Sequence, residues 1–336
     1  MRVAPSSAIA RVSPACLLVL TTCGGPARAP SAQPPTLLVS DRGGAFRIYE
    51  EIGEGAARVV GDADGVTHAD TMPARLPDGG IVFVSDRDGN PEIYLASANG
   101  VVRRLTSDPP ASPADDSAPA PLGRDRIVFA RTEPGTSRGA PRDLYVMRLD
   151  DGGLRRLTRH PADDAEPWGS SDGRAVVFVS DRSGETRIYL IPDADAADPE
   201  AGTLCLSEFG PPRSPDAAGA RGYADHGPVF LPDGSIVFSR KPEGGVPQLY
   251  VLGRAGASGG WRQVTDGLTL PYGAAEPVPF DDRSILLVTG LGADFEKRSG
   301  GGRSAVYRIA LGGFNLARVT RERARYSDFT RRLSGG

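Results

Sequence analysis

Three stretches of the chain are versions of one another, and no other feature restricts its fold as tightly. Residues 77–95 read PDGGIVFVSDRDGNPEIYL, residues 171–190 read SDGRAVVFVSDRSGETRIYL and residues 232–251 read PDGSIVFSRKPEGGVPQLYV. Each contains a turn, an apolar run, a second turn and a strand-like segment carrying a Tyr, and each continues to Leu105-Thr106, Leu206-Ser207 or Val264-Thr265. Weaker copies run from Leu37 to Tyr49, from Ile127 to Thr158 and from Ile285 to Thr320. Six tyrosines mark the copies, Tyr49, Tyr94, Tyr145, Tyr189, Tyr250 and Tyr307, spaced by 45, 51, 44, 61 and 57 residues. A repeat of this length is the signature of an array of small supersecondary units.

Each copy reads as four strands. The first ends near a proline (Pro73, Pro119, Pro167, Pro228, Pro277) and turns at an Asp-Gly type element. The second is the apolar run, which lacks period-two alternation and is therefore expected to be buried on both faces. The third carries the Tyr and the fourth ends at Leu-Thr. A four-stranded sheet with two apolar faces cannot stand alone, and radial stacking of such sheets makes a propeller. The expectation is all-β: a six-bladed β-propeller of four-stranded antiparallel blades over residues 36–336. The 43 glycines and 30 prolines suit many short strands. The first copy lacks an innermost strand, and Tyr326-Ser327-Asp328-Phe329-Thr330 resembles His68-Ala69-Asp70-Thr71-Met72. The C-terminal strand is therefore expected to close the ring by completing the first blade.

The segment Pro167-Trp168-Gly169-Ser170-Ser171-Asp172-Gly173 and the Ser-Asp-Arg triplets at 40–42, 85–87 and 180–182 carry a family resemblance. They resemble the WD-like propeller repeat of the TolB family over residues 36 to about 330. That resemblance implies a propeller that binds a protein or peptide partner. Members of the family carry an α/β domain before the propeller, which is not expected here. The resemblance is specific for fold and much less so for function.

The N-terminal segment reads as an address. Arg2 and Arg11 precede the apolar run Ala15-Cys16-Leu17-Leu18-Val19-Leu20, too short to span a bilayer and of signal-peptide length. Leu20-Thr21-Thr22-Cys23 resembles a lipobox, with Thr22 where Gly, Ala or Ser is usual. Residues 1–22 are read as a signal peptide, Cys23 as the lipidated residue and 23–35 as a Pro-rich tether; an ordinary cleaved secretory signal is the alternative. An exported lipoprotein, periplasmic or associated with the outer membrane, follows. Loss of residues 1–22 would leave 37 basic and 42 acidic side chains, a net charge of −5 that offers no electrostatic case for nucleic acid.

Candidate chemistry is sparse. Asp70, Asp116, Asp164 and Asp225 each stand three residues before the proline of their copy, while the sixth copy has Ala274 there and offers Glu276. As a set, these five carboxylates are expected at the channel mouth, where they would suit a cation or a basic peptide; singly, each Asp could accept backbone N–H groups and fix its turn. The three histidines, His68, His160 and His226, fall near the starts of innermost strands and form the alternative, a metal set of the kind used by propeller lyases or lactonases. Their staggered spacing argues against a shared metal. Two G-x-S-x-G matches, around Ser137 and Ser171, lie in expected turns and are read as chance. Cys205 is read as a buried small hydrophobe, and the Ser-Asp-Arg triplets and tyrosines as blade architecture. Loops 132–142, 207–224 and 291–304 are long and are placed on the face of the acidic mouth. The resulting expectation is a monomeric, non-catalytic binder of an envelope protein or peptide, with no cofactor.

Overall fold

The apolar runs are strands buried on both faces. The computed structural model describes residues 36–40, 45–53, 56–60, 68–136, 139–208, 222–253, 260–267, 270, 273–279, 283–290, 304–311 and 316–318. The expected signal peptide, Cys23 with its tether, and the closing strand near Asp328 lie outside these residues.

The described strands form six antiparallel sheets, five of four strands and one of three. The three-stranded sheet holds β1 (Thr36–Ser40), β2 (Arg47–Gly53) and β3 (Ala56–Val59). The second sheet holds β4 (Asp70–Arg75), β5 (Ile81–Ser85), β6 (Glu92–Ala96) and β7 (Val102–Arg104). The third holds β8 (Asp116–Leu122), β9 (Arg126–Thr132), β10 (Arg142–Arg148) and β11 (Leu154–Arg156). The fourth holds β12 (Asp164–Gly169), β13 (Val176–Ser180), β14 (Arg187–Ile191) and β15 (Leu204–Cys205). The fifth holds β16 (Tyr223–Phe230), β17 (Ile236–Pro242), β18 (Gln248–Leu252) and β19 (Trp261–Gln263). The sixth holds β20 (Ala275–Pro279), β21 (Ser284–Gly290), β22 (Ser304–Ala310) and β23 (Leu316–Arg318). Within each sheet the strands pair in chain order, as blades of a propeller do.

Side-chain alternation along each second strand explains why its sequence does not alternate. In β13, Val176 and Phe178 pack toward the third sheet while Val177 and Val179 pack toward the fifth. In β17, Ile236 and Phe238 face the fourth sheet and Val237 the sixth. Apolar clusters join the first and second sheets around Phe83 and the second and third around Phe129. A further cluster of Leu38, Leu286 and Val306 joins the first sheet to the sixth, so the sheets close on themselves. Each fully buried Phe, Ile or Leu contributes about 1.5–3 kcal/mol relative to exposure.

Two repeat features gain a physical role. The terminal Thr or Ser of the Leu-Thr element pins the fourth strand to the third. The hydroxyls of Thr106, Thr158, Ser207 and Thr265 accept the N–H groups of Ile93, Leu144, Ile188 and Leu249 at 2.8 to 2.9 Å. The Tyr series stacks on the Phe of the neighbouring strand, as in Phe83–Tyr94 and Phe238–Tyr250, with ring centroids 5.9 and 6.2 Å apart.

The prolines, expected at strand ends, lie inside the innermost strands. Each follows a residue with left-handed backbone: Met72, Ala118, Glu166, Gly227 and Glu276 have φ between 49° and 57°. The ladder slips at the same places, between Thr71 and Ala74, Ser117 and Ala120, Ala165 and Trp168, His226 and Val229, and Ala275 and Val278. A β-bulge needs no ladder N–H from the proline, which is why proline is tolerated within a strand there. Four of the five left-handed residues are not glycine and all precede proline, so each bulge holds backbone strain.

Candidate functional site

The recurrent aspartates are at the head of the innermost strands, and their environment differs from an open rim. Asp70, Asp116, Asp164 and Asp225 have side chains with no solvent exposure, and each faces an arginine of its own blade. Arg87 reaches Asp70 at 3.1 Å, Arg131 reaches Asp116 at 3.1 Å, Arg182 reaches Asp164 at 2.8 Å and Arg240 reaches Asp225 at 2.6 Å. Arg47, from the preceding sheet, adds a second contact to Asp70 at 3.1 Å. A buried carboxylate needs this pairing, since an isolated charge away from water is very costly. These four carboxylates therefore tie blade interiors together. Glu276 stands elsewhere, at the bulge before Pro277, in the place that Glu166 takes in the fourth sheet.

In the second and fourth blades the Ser-Asp-Arg triplet is a three-part latch around the paired aspartate. In the second blade Arg87 binds the Ser85 hydroxyl and Asp70, while the Asp86 carboxylate accepts the Ala69 N–H at 2.7 Å. The fourth blade repeats it with Arg182 on Ser180 and Asp164, and Asp181 accepting the Asp163 N–H at 3.0 Å. The third blade substitutes Thr132, whose hydroxyl accepts the Asp115 N–H at 2.8 Å. In these three blades the hairpin after the second strand is held against the link from the preceding blade. Hairpins and links therefore share one face.

The arginines also cover aromatic rings: the Arg87 guanidinium lies 4.7 Å from the Tyr94 centroid and that of Arg240 lies 4.6 Å from Trp261. Asp116 is the exception within the set. Arg131 is drawn aside by a 2.6 Å contact with Asp108, and burial pushes the Asp116 carboxyl up to about 8 even though the Arg131 charge pulls it down.

The histidines separate. His68 lies 3.5 Å from Asp70 through Nε2, His160 is exposed and accepts the Ala162 N–H at 3.1 Å, and His226 lies 3.6 Å from Glu166. Among the described residues no three His, Cys, Asp or Glu side chains gather into a set that could hold a metal. Cys205 is a half-buried free thiol packed against the cluster between the third and fourth blades.

Sequence reasoning missed what the bulges do. A left-handed residue lets its side chain cross to the next blade. Met72 Sδ accepts the Ala118 N–H at 3.3 Å, and Glu166 Oε2 accepts the Gly227 N–H at 2.6 Å. Each of these bonds joins the bulge of one innermost strand to the bulge of the next. The available signal was the recurrent residue-before-proline position, though nothing local foretells positive φ there. Trp168, just past the bulge of the fourth sheet, packs against clusters between the third and fourth, fourth and fifth, and fifth and sixth sheets.

The hairpin-and-link face carries an open cleft of about 560 Å³ between the fourth and fifth blades. Glu185, Thr186, Tyr223, Ala224, Lys241 and Glu243 are among its walls. Lys241 is one of only two lysines in the chain. Long loops expected on this face fall partly outside the described residues: 137–138, 209–221 and 291–303.

Known proteins match at two levels. No protein-family model matches the chain. A 47-residue stretch is 45% identical to the Tol-Pal system protein TolB of Bordetella pertussis, covering 14% of this chain and 11% of that protein. Among solved structures, TolB from Acinetobacter baumannii superposes with a TM-score of 0.61 at 18% identity, over 86% of this chain and 64% of that one. A Mycobacterium tuberculosis puromycin-hydrolysing peptidase gives 0.56 at 14% identity, over 85% of this chain and 44% of that one. An oligogalacturonate lyase in complex with manganese gives 0.54 at 13% identity, over 85% of this chain and 73% of that one. The aligned part is thus under two thirds of either TolB, and at these identities the superpositions speak for fold. The repeat, the blade order and both TolB matches agree that the chain folds as a β-propeller similar to that of TolB.

Proposed function

We propose that the chain is an exported, lipid-anchored propeller that binds a protein or peptide of the cell envelope on its hairpin-and-link face, without catalysis. The observation that carries this reading is the open cleft between the fourth and fifth blades, where Tyr223 lies beside Lys241 and two acids. An aromatic surface among charges of both signs suits a peptide better than a small anionic sugar. The likeness to a Tol-Pal system protein supports an envelope partner. The test is capture from envelope extracts by the full mature chain and by its Tyr223→Ala and Lys241→Glu variants. A partner retained by the parent and lost by both variants is expected; equal capture by all three would place binding elsewhere. Labelling with a lipid precursor that depends on Cys23 tests the anchor.

The competing reading, a metal-dependent lyase, draws on the likeness to the manganese-bound oligogalacturonate lyase. A stoichiometric divalent metal found by elemental analysis of the purified protein would favour it. The three-stranded first sheet is, in this proposal, a sixth blade completed by the C-terminal strand. Deleting residues 325–336 should then lower and broaden the unfolding transition, and an unchanged transition would refute that closure.

A further inference from the structure

The contact between Glu166 and His226 belongs to neither a paired aspartate nor the cleft. Glu166 sits at a strained position, φ 49° before Pro167, and so directs its carboxylate out of its own blade. Oε2 takes the Gly227 N–H at 2.6 Å and Oε1 lies 3.6 Å from His226 Nδ1. Nδ1 is closed off from solvent and makes no hydrogen bond, so the Glu166 carboxylate is the group it faces. Both partners sit at the bulges of adjacent innermost strands, β12 and β16. Gly227 has no side chain to block the approach, and a Cβ placed there would meet Pro277 Cδ at 3.4 Å.

We propose that Glu166 and His226 form a proton-operated clasp that sets how firmly the fourth and fifth blades are joined at the propeller axis. With His226 protonated, Nδ1–H faces a carboxylate already held by the Gly227 amide, and the joint is tight. With His226 neutral, the charge attraction to the Glu166 carboxylate is gone, so the joint opens more often.

The surrounding charges favour the same polarity. Burial alone would lower the histidine, but the facing Glu166 carboxylate, together with the charge of Asp225, raises it above its ordinary value of 6.5; Lys241 on β17 acts against them. Burial would raise Glu166, but His226, the Gly227 N–H and Arg142 bring it below its ordinary value of 4.5. Asp225 is bound to Arg240 and Ser207, and Arg142 is held by both oxygens of Asp163. Glu276 on β20 also approaches Gly227, its Cα lying 3.9 Å from where a Gly227 Cβ would stand.

The sign follows from these directions. The raised histidine contributes stability that is complete below its ordinary value and lost as pH rises through its folded value. The depressed glutamate contributes stability that is present above its ordinary value and lost as pH falls through its folded value. The clasp is therefore firm from mildly acidic to near-neutral pH and loosens toward alkaline pH.

Hydrogen exchange of the Gly227 amide in the full chain reads the clasp directly. After correction for the intrinsic pH dependence of exchange, protection should fall roughly three- to tenfold between pH 6 and pH 8.5. His226→Gln should show no such pH dependence, and Glu166→Gln should lower protection throughout. A flat profile in the unaltered protein, or the same profile in His226→Gln, overturns the proposal. If either variant fails to fold, NMR titration of the unaltered protein decides. His226 should titrate above the ordinary histidine value of 6.5, and titration at or below that value overturns the clasp.

Discussion

Replacing Asp225 by Asn removes one charge from the most enclosed ion pair among the described residues. Arg240 is 2% exposed and Asp225 is fully buried. Arg240 Nε and one terminal nitrogen reach the two carboxylate oxygens, each at 2.6 Å, and the same terminal nitrogen donates to the Ser207 carbonyl at 3.0 Å. The guanidinium also lies 4.6 Å from the Trp261 ring centroid and 5.0 Å from that of Tyr223. Asp225→Asn leaves a buried cation without its counter-charge, which costs about 3–5 kcal/mol. For a domain of this size that lowers the melting temperature by roughly 5–8 °C. Replacing both partners, Asp225→Leu with Arg240→Met, removes the uncompensated charge and should recover at least half of the loss. The assay is urea denaturation followed by tryptophan fluorescence, to which Trp261 reports from beside the pair. A single-variant cost below about 1 kcal/mol, or a double-variant cost equal to the sum of the singles, would refute the reasoning.

The remaining predictions rest on separate features. Asp116, pushed up to about 8 by burial against the pull of Arg131, is mostly neutral at pH 7, so its contribution is lost as pH rises from its ordinary 3.8 through about 8. Asp116→Asn should then change stability at pH 7 far less than Asp225→Asn and should flatten the stability–pH profile across that window in denaturation curves. A Cβ at Gly169 would stand 2.4 Å from the Pro121 carbonyl oxygen of the neighbouring innermost strand, so Gly169→Ala should cost about 1–3 kcal/mol of unfolding free energy. Leu286 packs with Leu38 across the joint of the first and sixth sheets. Leu286→Ala should cost about 2–5 kcal/mol, with early loss of amide protection in β1 and β21.

The blades were legible because each one solves the same burial problem. Runs such as Ile81 to Ser85 and Val176 to Ser180 lack alternation, and the strands they form are buried on both faces. The Ser-Asp-Arg triplets were rightly read as architecture, since Arg87 and Arg182 point inward to Asp70 and Asp164. That same pairing was invisible to the reading of the aspartates as a mouth. Asp70 and Arg87 are 17 residues apart, and only strand pairing brings Asp70 opposite Ser85. The proline positions were legible as landmarks but not as bulges, because the left-handed turn at Met72, Ala118, Glu166 and Glu276 runs against local preference and is imposed by neighbouring strands.

Periodicity by itself determined the repeat, its strand order and the double-sided burial of the second strands, because these depend on short-range spacing and on the cost of exposing apolar surface. The tertiary structure decided which polar groups face solvent and which face one another. It buried the four aspartates on arginines, dispersed His68, His160 and His226, and brought Glu166 of one blade onto Gly227 and His226 of the next. A carboxylate's role is set by the charges and donors within a few ångströms of it, and in a ring of blades most of those come from residues distant in sequence.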